Sequence, residues 1–286
     1  MRGLIFFCLF ATGFLPAAAH AAQPPSDADI ARQAQRLLAD AYPASGPGAA
    51  ILVARGDRVL YRGARGMADI ELGVPLAPDQ VFRIGSVTKQ FSAAGLLKLV
   101  ESGKVSLADP LSKYLKGYPN GNAITVRQLL DHTSGVKSYT SLPGIMDGPI
   151  RRDLDTAALV DSFKGESADF APGAGWAYNN SGYVLVGAVI EAASGQPWHR
   201  YLQQALFAPL GMTRTGYGDD TAIIPGHVRG YSMRDGKPTP ARYLSMTQPH
   251  AAGALVSTVD DLLRWNRALH EGLVLKSETY RQMVTP

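Results

Sequence analysis

The chain has 286 residues, 46% of them hydrophobic, with 28 basic side chains against 24 acidic ones and a formal net charge of +4. The basic residues are dispersed, with no basic stripe and no interleaved aromatics, which excludes the usual footprint of a nucleic-acid binder. A single cysteine excludes a disulfide scaffold, and no metal-ligand spacing such as H-E-x-x-H is present, so no metal or other cofactor is expected.

Met1-Arg2, the apolar run from Leu4 to Leu15 and the small-x-small triplet Ala19-His20-Ala21 read as a secretory signal peptide over residues 1–21. The run is too short for a spanning helix. Export to the periplasm or medium is therefore expected, with no transmembrane segment after cleavage. Cys8 leaves with the leader, and loss of Arg2 lowers the charge from +4 to +3. About 260 residues remain, enough for one large domain or two small ones.

From Asp27 to Tyr42 the residues Ile30, Ala34, Leu37, Leu38 and Ala41 recur at helical spacing behind Ser26, an N-cap type. Ala49 to Ala54 and Val59 to Gly63 read as two strands joined at Gly56-Asp57, a two-residue hairpin signal. That turn accounts for Arg55-Gly56-Asp57, so an adhesion role is not invoked. Ser86 to Glu101 predicts a helix with almost no polar face, hence a buried one, stopped by Gly103. Val126 to Leu130 predicts a short helix and residues 136–149 a long loop. Gly182 to Ala193 predicts an apolar helix closed by Gly195, and Pro197 opens another that runs to about Phe207. Ser257-Thr258 precedes a helix over Val259 to His270, behind an S/T-x-x-D box. This order predicts an α+β (mixed α/β) fold with segregated helices, the helical part covering about residues 86–215 of a domain from 22 to 286.

Within that helical part, Ser86-Val87-Thr88-Lys89 places a hydroxyl and an amine on one helix face, a turn apart. A serine becomes a useful nucleophile when a neighbouring group takes its proton, and a partly neutral amine can do so. Alone, S-x-x-K reads more readily as a capped helix start than as a catalytic pair. Tyr178-Asn179-Asn180 before an apolar helix reads alone as an aromatic plug and a cap. Asn179-Asn180-Ser181 also spells a glycosylation sequon, which is treated as coincidental. No G-x-S-x-G, G-x-x-x-x-G-K-[ST] or G-x-G-x-x-G is present, which argues against an α/β-hydrolase and against a nucleotide cofactor.

Six segments in order resemble one family: V-F-R-I-G-S-V-T-K-Q-F, G-K-V-S-L-A-D-P-L-S-K-Y-L, L-L-D-H-T-S-G, Y-N-N-S-G-Y-V-L-V-G-A-V-I-E, A-P-L-G-M-T-R-T and A-G-A-L-V-S-T-V-D-D-L. They resemble the serine β-lactamase-related hydrolases, which include class C-like β-lactamases, D,D-peptidases and related esterases. The resemblance runs from about Ala49 to Pro286. It implies a β-lactamase/transpeptidase-like fold, an antiparallel sheet flanked by helices with a mostly helical subdomain. It also implies that Ser86 is the acylated nucleophile, with Lys89 on the next turn and Tyr178 and Asn180 across the cleft. Either Lys89 or Tyr178 can accept the Ser86 proton, and Asn180 can bridge Lys89 and a substrate amide. His132 takes a structural role, tying a loop near the cleft. The implied substrates are β-lactams, D-alanyl peptides or small esters.

The same resemblance implies a third element, K-T-G, K-S-G or H-x-G, on a strand lining the cleft. Lys237-Pro238-Thr239 lacks the glycine and carries a proline that cannot donate to a ladder. His132, His227 and His250 each begin H-x-x-G, one residue too long. The sequence is therefore expected to be a fragment of a longer hydrolase whose further sheet strands lie beyond Pro286. A truncated pseudo-enzyme that binds cell-wall peptide without turnover is the alternative.

Overall fold

A computed structural model describes residues 24–285, so the expected signal peptide lies outside the described residues. Helix α1 (Asp27–Ala41) opens on a capping box in which Ser26 and Asp29 satisfy each other's backbone donors. The chain then forms β1 (Ala49–Arg55) and β2 (Arg58–Arg65), antiparallel, with Ala49 opposite Arg65 and Arg55 opposite Arg58. The two-residue turn expected at Gly56-Asp57 is present, with Gly56 at φ 54°. Among the described residues β1 and β2 pair only with each other, and α1 packs on them. Arg62 ties the hairpin to a later helix through two 2.7 Å bonds to Asp260.

Short strands β3 (Met67–Asp69) and β4 (Val74–Pro75) pair, and β5 (Phe82–Arg83) leads to a single 3-10 turn at Gly85–Val87. Helix α2 (Thr88–Glu101) follows without a break. The helix predicted to begin at Ser86 therefore starts as a tighter turn, and Ser86 lies in that turn. As expected, α2 is buried over most of its length, from Phe91 through Leu96 and Leu99. Helix α3 (Val126–Leu130) and three 3-10 turns between Tyr139 and Arg151 follow, so the predicted loop over 136–149 is partly coiled.

Helix α4 (Thr156–Asp161) was not predicted; Asp155 Oδ1 caps it by accepting from Ala158 N at 2.7 Å. Helix α5 (Asn180–Ser194) begins two residues before the predicted start, because the Asn179 side chain caps it through Gly182 N at 2.8 Å. Gly195 closes it at φ 72°. Helices α2 and α5 pack together to form the centre of the core, where Leu185, Val186, Val189 and Ile190 are buried.

Helix α6 (Trp198–Leu202) continues as a wider turn to Phe207, and β6 (Gly216–Tyr217) follows. Strands β7 (Tyr231–Arg234) and β8 (Lys237–Pro240) form a second hairpin, with Met233 opposite Pro238. This places Lys237-Pro238-Thr239 in a strand despite Pro238. A short turn of helix, α7 (His250–Gly253), leads to β9 (Leu255–Ser257), the middle strand of an antiparallel sheet in the order β5-β9-β6. Helices α8 (Val259–His270) and α9 (Ser277–Val284) complete the described residues. Among them, no helix is long and apolar enough to cross a membrane.

Asp261 links these layers. It is fully buried and accepts from Arg214 N at 2.8 Å and Thr215 Oγ1 at 2.9 Å, while Thr258 caps the same turn of α8. Asp261→Ala strands those donors, so it is expected to cost about 1–3 kcal/mol. A drop in the thermal midpoint with unchanged far-ultraviolet circular dichroism at low temperature checks it.

Candidate active site

The small sheet fixes where the nucleophilic turn begins. Ile84 N donates to Leu255 O at 3.0 Å, so β9 holds the chain immediately before Gly85. Gly85 then adopts φ 50°, a left-handed conformation that suits glycine, and Ser86 follows in the 3-10 turn. Thr88 and Lys89, the first two residues of α2, are buried against α7 and β9.

All four residues singled out in the sequence come together. Tyr178 Oη donates to Ser86 Oγ at 2.8 Å, and Lys89 Nζ donates to the same oxygen at 3.2 Å. Lys89 Nζ also donates to Asn180 Oδ1 at 2.8 Å and to the carbonyl of Ala252 at 2.9 Å. Its ammonium lies 4.7 Å from the centre of the Tyr178 ring and 5.5 Å from that of Tyr183. Burial lowers the Lys89 pKa below that of an ordinary lysine, and the adjoining Tyr178 opposes the shift. An amine so placed is more easily neutral than a surface lysine.

Asn180 is held from the other side. Its Nδ2 donates to Thr140 Oγ1 at 2.9 Å and its backbone N–H to Ser138 Oγ at 3.3 Å. Asn179, the sequon asparagine, is buried and spends its side chain on Gly182 N and Val136 O. His132 Nδ1 accepts from Asn179 N at 3.2 Å, and its ring lies 4.9 Å from that of Tyr178 and 5.3 Å from that of Tyr183. Burial first, and the Lys89 charge second, push the His132 pKa down. The imidazole thus braces the Tyr178–Asn180 segment and makes no hydrogen bond to Ser86.

Ser86 and Asn180 open on a cavity of about 280 Å³ whose wall includes Met146, Ile150, Leu244 and Met246. Two larger cavities, of about 380 and 420 Å³, contain none of the four residues, so chemistry rather than volume marks the site. The contacts that the sequence reading missed are the Ala252 carbonyl and the hydroxyls of Thr140 and Ser138. A backbone carbonyl has no sequence signature, and Thr140 and Ser138 sit in a segment without periodicity. Asn180→Ala removes an acceptor of the Lys89 ammonium. It should lower kcat/KM by roughly 10- to 100-fold, equivalent to about 1.5–3 kcal/mol for a hydrogen bond to a charged group.

The geometry agrees with comparisons to known proteins. The family model described as Beta-lactamase matches residues 36–286. Esterase EstB of Burkholderia gladioli is 34% identical over 263 residues, covering 85% of this chain and 62% of the esterase. The D-stereospecific amidohydrolase from Streptomyces sp. has a TM-score of 0.77 at 30% identity, covering 91% of this chain and 78% of that one. A penicillin binding protein from Bacillus halodurans has a TM-score of 0.75 at 26% identity, covering 88% of this chain and 77% of that one. The chain spans 59% and 62% of the lengths of two curated relatives that it matches. The mixed fold is accordingly of the β-lactamase/transpeptidase-like type implied by the motifs. With six ordered motifs, this fold and a family match over nearly its whole length, the chain belongs to the beta-lactamase family.

Proposed function

We propose that this chain works as an exported serine hydrolase through an acyl-enzyme on Ser86. The observation that carries the reading is the double contact on Ser86 Oγ, from Tyr178 Oη at 2.8 Å and from Lys89 Nζ at 3.2 Å. In this reading the Lys89–Tyr178 pair takes the Ser86 proton as Oγ attacks the carbonyl carbon of the acyl donor. The oxyanion develops beside the N-terminal turn that leads into α2, where backbone N–H groups and the helix dipole favour negative charge. The pair then returns the proton to the leaving group, and water releases the acyl group from Ser86.

The donors proposed are small esters and amides with a compact apolar acyl group. The cavity beside Ser86 supports this, because Met146, Ile150, Leu244 and Met246 offer such a group an apolar wall. An esterase and a D-stereospecific amidohydrolase among the similar proteins support the same pair of bond types. Export rests on the leader-like pattern of residues 1–21.

A fluorophosphonate probe tests the reading. Covalent labelling that butyryl or benzoyl esters compete away, more strongly than β-lactams or D-alanyl peptides do, is the expected result. Saturable binding of cell-wall peptide with no covalent adduct from any donor overturns it in favour of a non-catalytic binding protein.

A further inference from the structure

The residue that starts α7 is held in an unfavourable shape for a side chain of its size. His250 has φ 45°, in the left-handed region that costs a non-glycine residue about 1–2 kcal/mol. Such a conformation persists only where the surroundings impose it, and here they do. The ring is almost fully buried and lies 5.1 Å from that of Trp198 on α6. It also presses on the bare backbone of α5, where a Cβ at Gly187 would come within 2.5 Å of His250 Cε1. Nε2 meets Thr156 Oγ1 of α4 at 3.1 Å and lies 4.0 Å from Glu191 Oε1 of α5. Nδ1 is buried without a hydrogen-bond partner, so the Thr156 hydroxyl is the one hydrogen bond that orients the imidazole among the described residues.

The next two residues carry the consequence into the site. Ala251 O accepts from Ser92 Oγ at 2.7 Å, and Ala252 O accepts from Lys89 Nζ at 2.9 Å. The turn closes with Ala254 N donating to His250 O at 2.9 Å, and a Cβ on Gly253 would lie 3.7 Å from the carbonyl carbon of Gly85. The direction of the Ala252 carbonyl thus follows from the backbone angle at His250.

We propose that His250, oriented by Thr156, is a positioning residue that aims the Ala252 carbonyl at the Lys89 amine. The inference rests on the proposed role of Lys89 for its catalytic meaning, and on contacts alone for the coupling. A carbonyl acceptor favours the ammonium form of Lys89, so loosening it makes the amine lose its proton at lower pH. The titratable groups facing Lys89 are Tyr178, Tyr183 and the nearby His132, and those facing His250 are Glu191 and His199. Thr156→Val keeps all of these groups, while also removing the hydroxyl that bonds the Glu191 carboxyl.

The test follows the Lys89 Cε resonance in protein labelled with 13C-lysine, across pH, in the parent, Thr156→Val and Thr156→Ser. The expected result is a titration midpoint lowered by about half a pH unit or more in Thr156→Val and restored in Thr156→Ser, with thermal midpoints recorded alongside. In parallel, the acid limb of the kcat profile for ester turnover should move to lower pH in Thr156→Val, with KM little changed. His250→Asn, whose smaller side chain tolerates positive φ, should keep the backbone angle and preserve the parent midpoint better than His250→Ala. A Lys89 midpoint unchanged in Thr156→Val, whatever the thermal midpoint does, overturns the inference. If the midpoint moves but no variant or parent acylates, the coupling stands and the proposed hydrolase function fails.

Discussion

Ser86→Ala lowers kcat/KM for ester or amide donors by on the order of 10⁶-fold, the scale on which serine hydrolases lose rate without their nucleophile. The reason is local. Ser86 Oγ is the atom on which Tyr178 Oη and Lys89 Nζ converge, at 2.8 and 3.2 Å, and among the described residues no other hydroxyl receives both. The substitution trims one oxygen at an exposed position in a 3-10 turn, so folding is expected to be unaffected. Stopped-flow and steady-state assays with p-nitrophenyl esters read the loss, and an equal thermal midpoint shows that it is chemical. Activity within tenfold of the parent would place the nucleophile elsewhere.

Lys89→Met should lower the acylation rate by about 10²- to 10⁴-fold, the range of a positioned general base. Methionine keeps most of the stem that fills the space beneath Tyr178 while removing the amine. In the parent, burial lowers the Lys89 pKa from the ordinary 10.5, so its neutral fraction grows at a lower pH than for a free lysine. A base of this kind works when deprotonated. The acylation rate of the parent therefore rises with pH, with its half-rise below the 10.5 of an ordinary lysine. Lys89→Met should flatten that acid limb. A limb of unchanged position and height in Lys89→Met would assign the base to another group, and Tyr178→Phe, which keeps the ring over Lys89, is the comparison that identifies it.

Much of this site was legible in the sequence, for reasons tied to particular residues. The three-residue spacing of Ser86 and Lys89 survives the change from α to 3-10 geometry, because both put i and i+3 on one face. The Ser26 cap, the Gly56-Asp57 turn and the Gly195 closure are local signals that need no tertiary help. The start of α5 was misplaced because Asn179 caps it with a buried side chain, whereas the apolar pattern begins only after Gly182. Asp235-Gly236 carries the same kind of hairpin signal, and both residues have positive φ. The prolines at 238 and 240 masked it, although a two-stranded hairpin leaves one edge where prolines are harmless.

What sequence could not show is how α2 is strapped to the segment after His250. Thr88, Lys89 and Ser92 each bond to that segment, through Leu255 N, Ala252 O and Ala251 O. These partners are backbone atoms, and which backbone atoms arrive there depends on the angle at one buried histidine. The polar residues on the otherwise apolar α2 are the only trace of this in the sequence.

Passage of an acyl group to Ser86 is read without intermediary by mass spectrometry of the protein quenched in acid during turnover of a butyryl ester. A butyryl mass increment confined to the peptide containing Ser86, and absent from Ser86→Ala, is expected. Turnover with no increment under any quench, or an increment retained in Ser86→Ala, would contradict it.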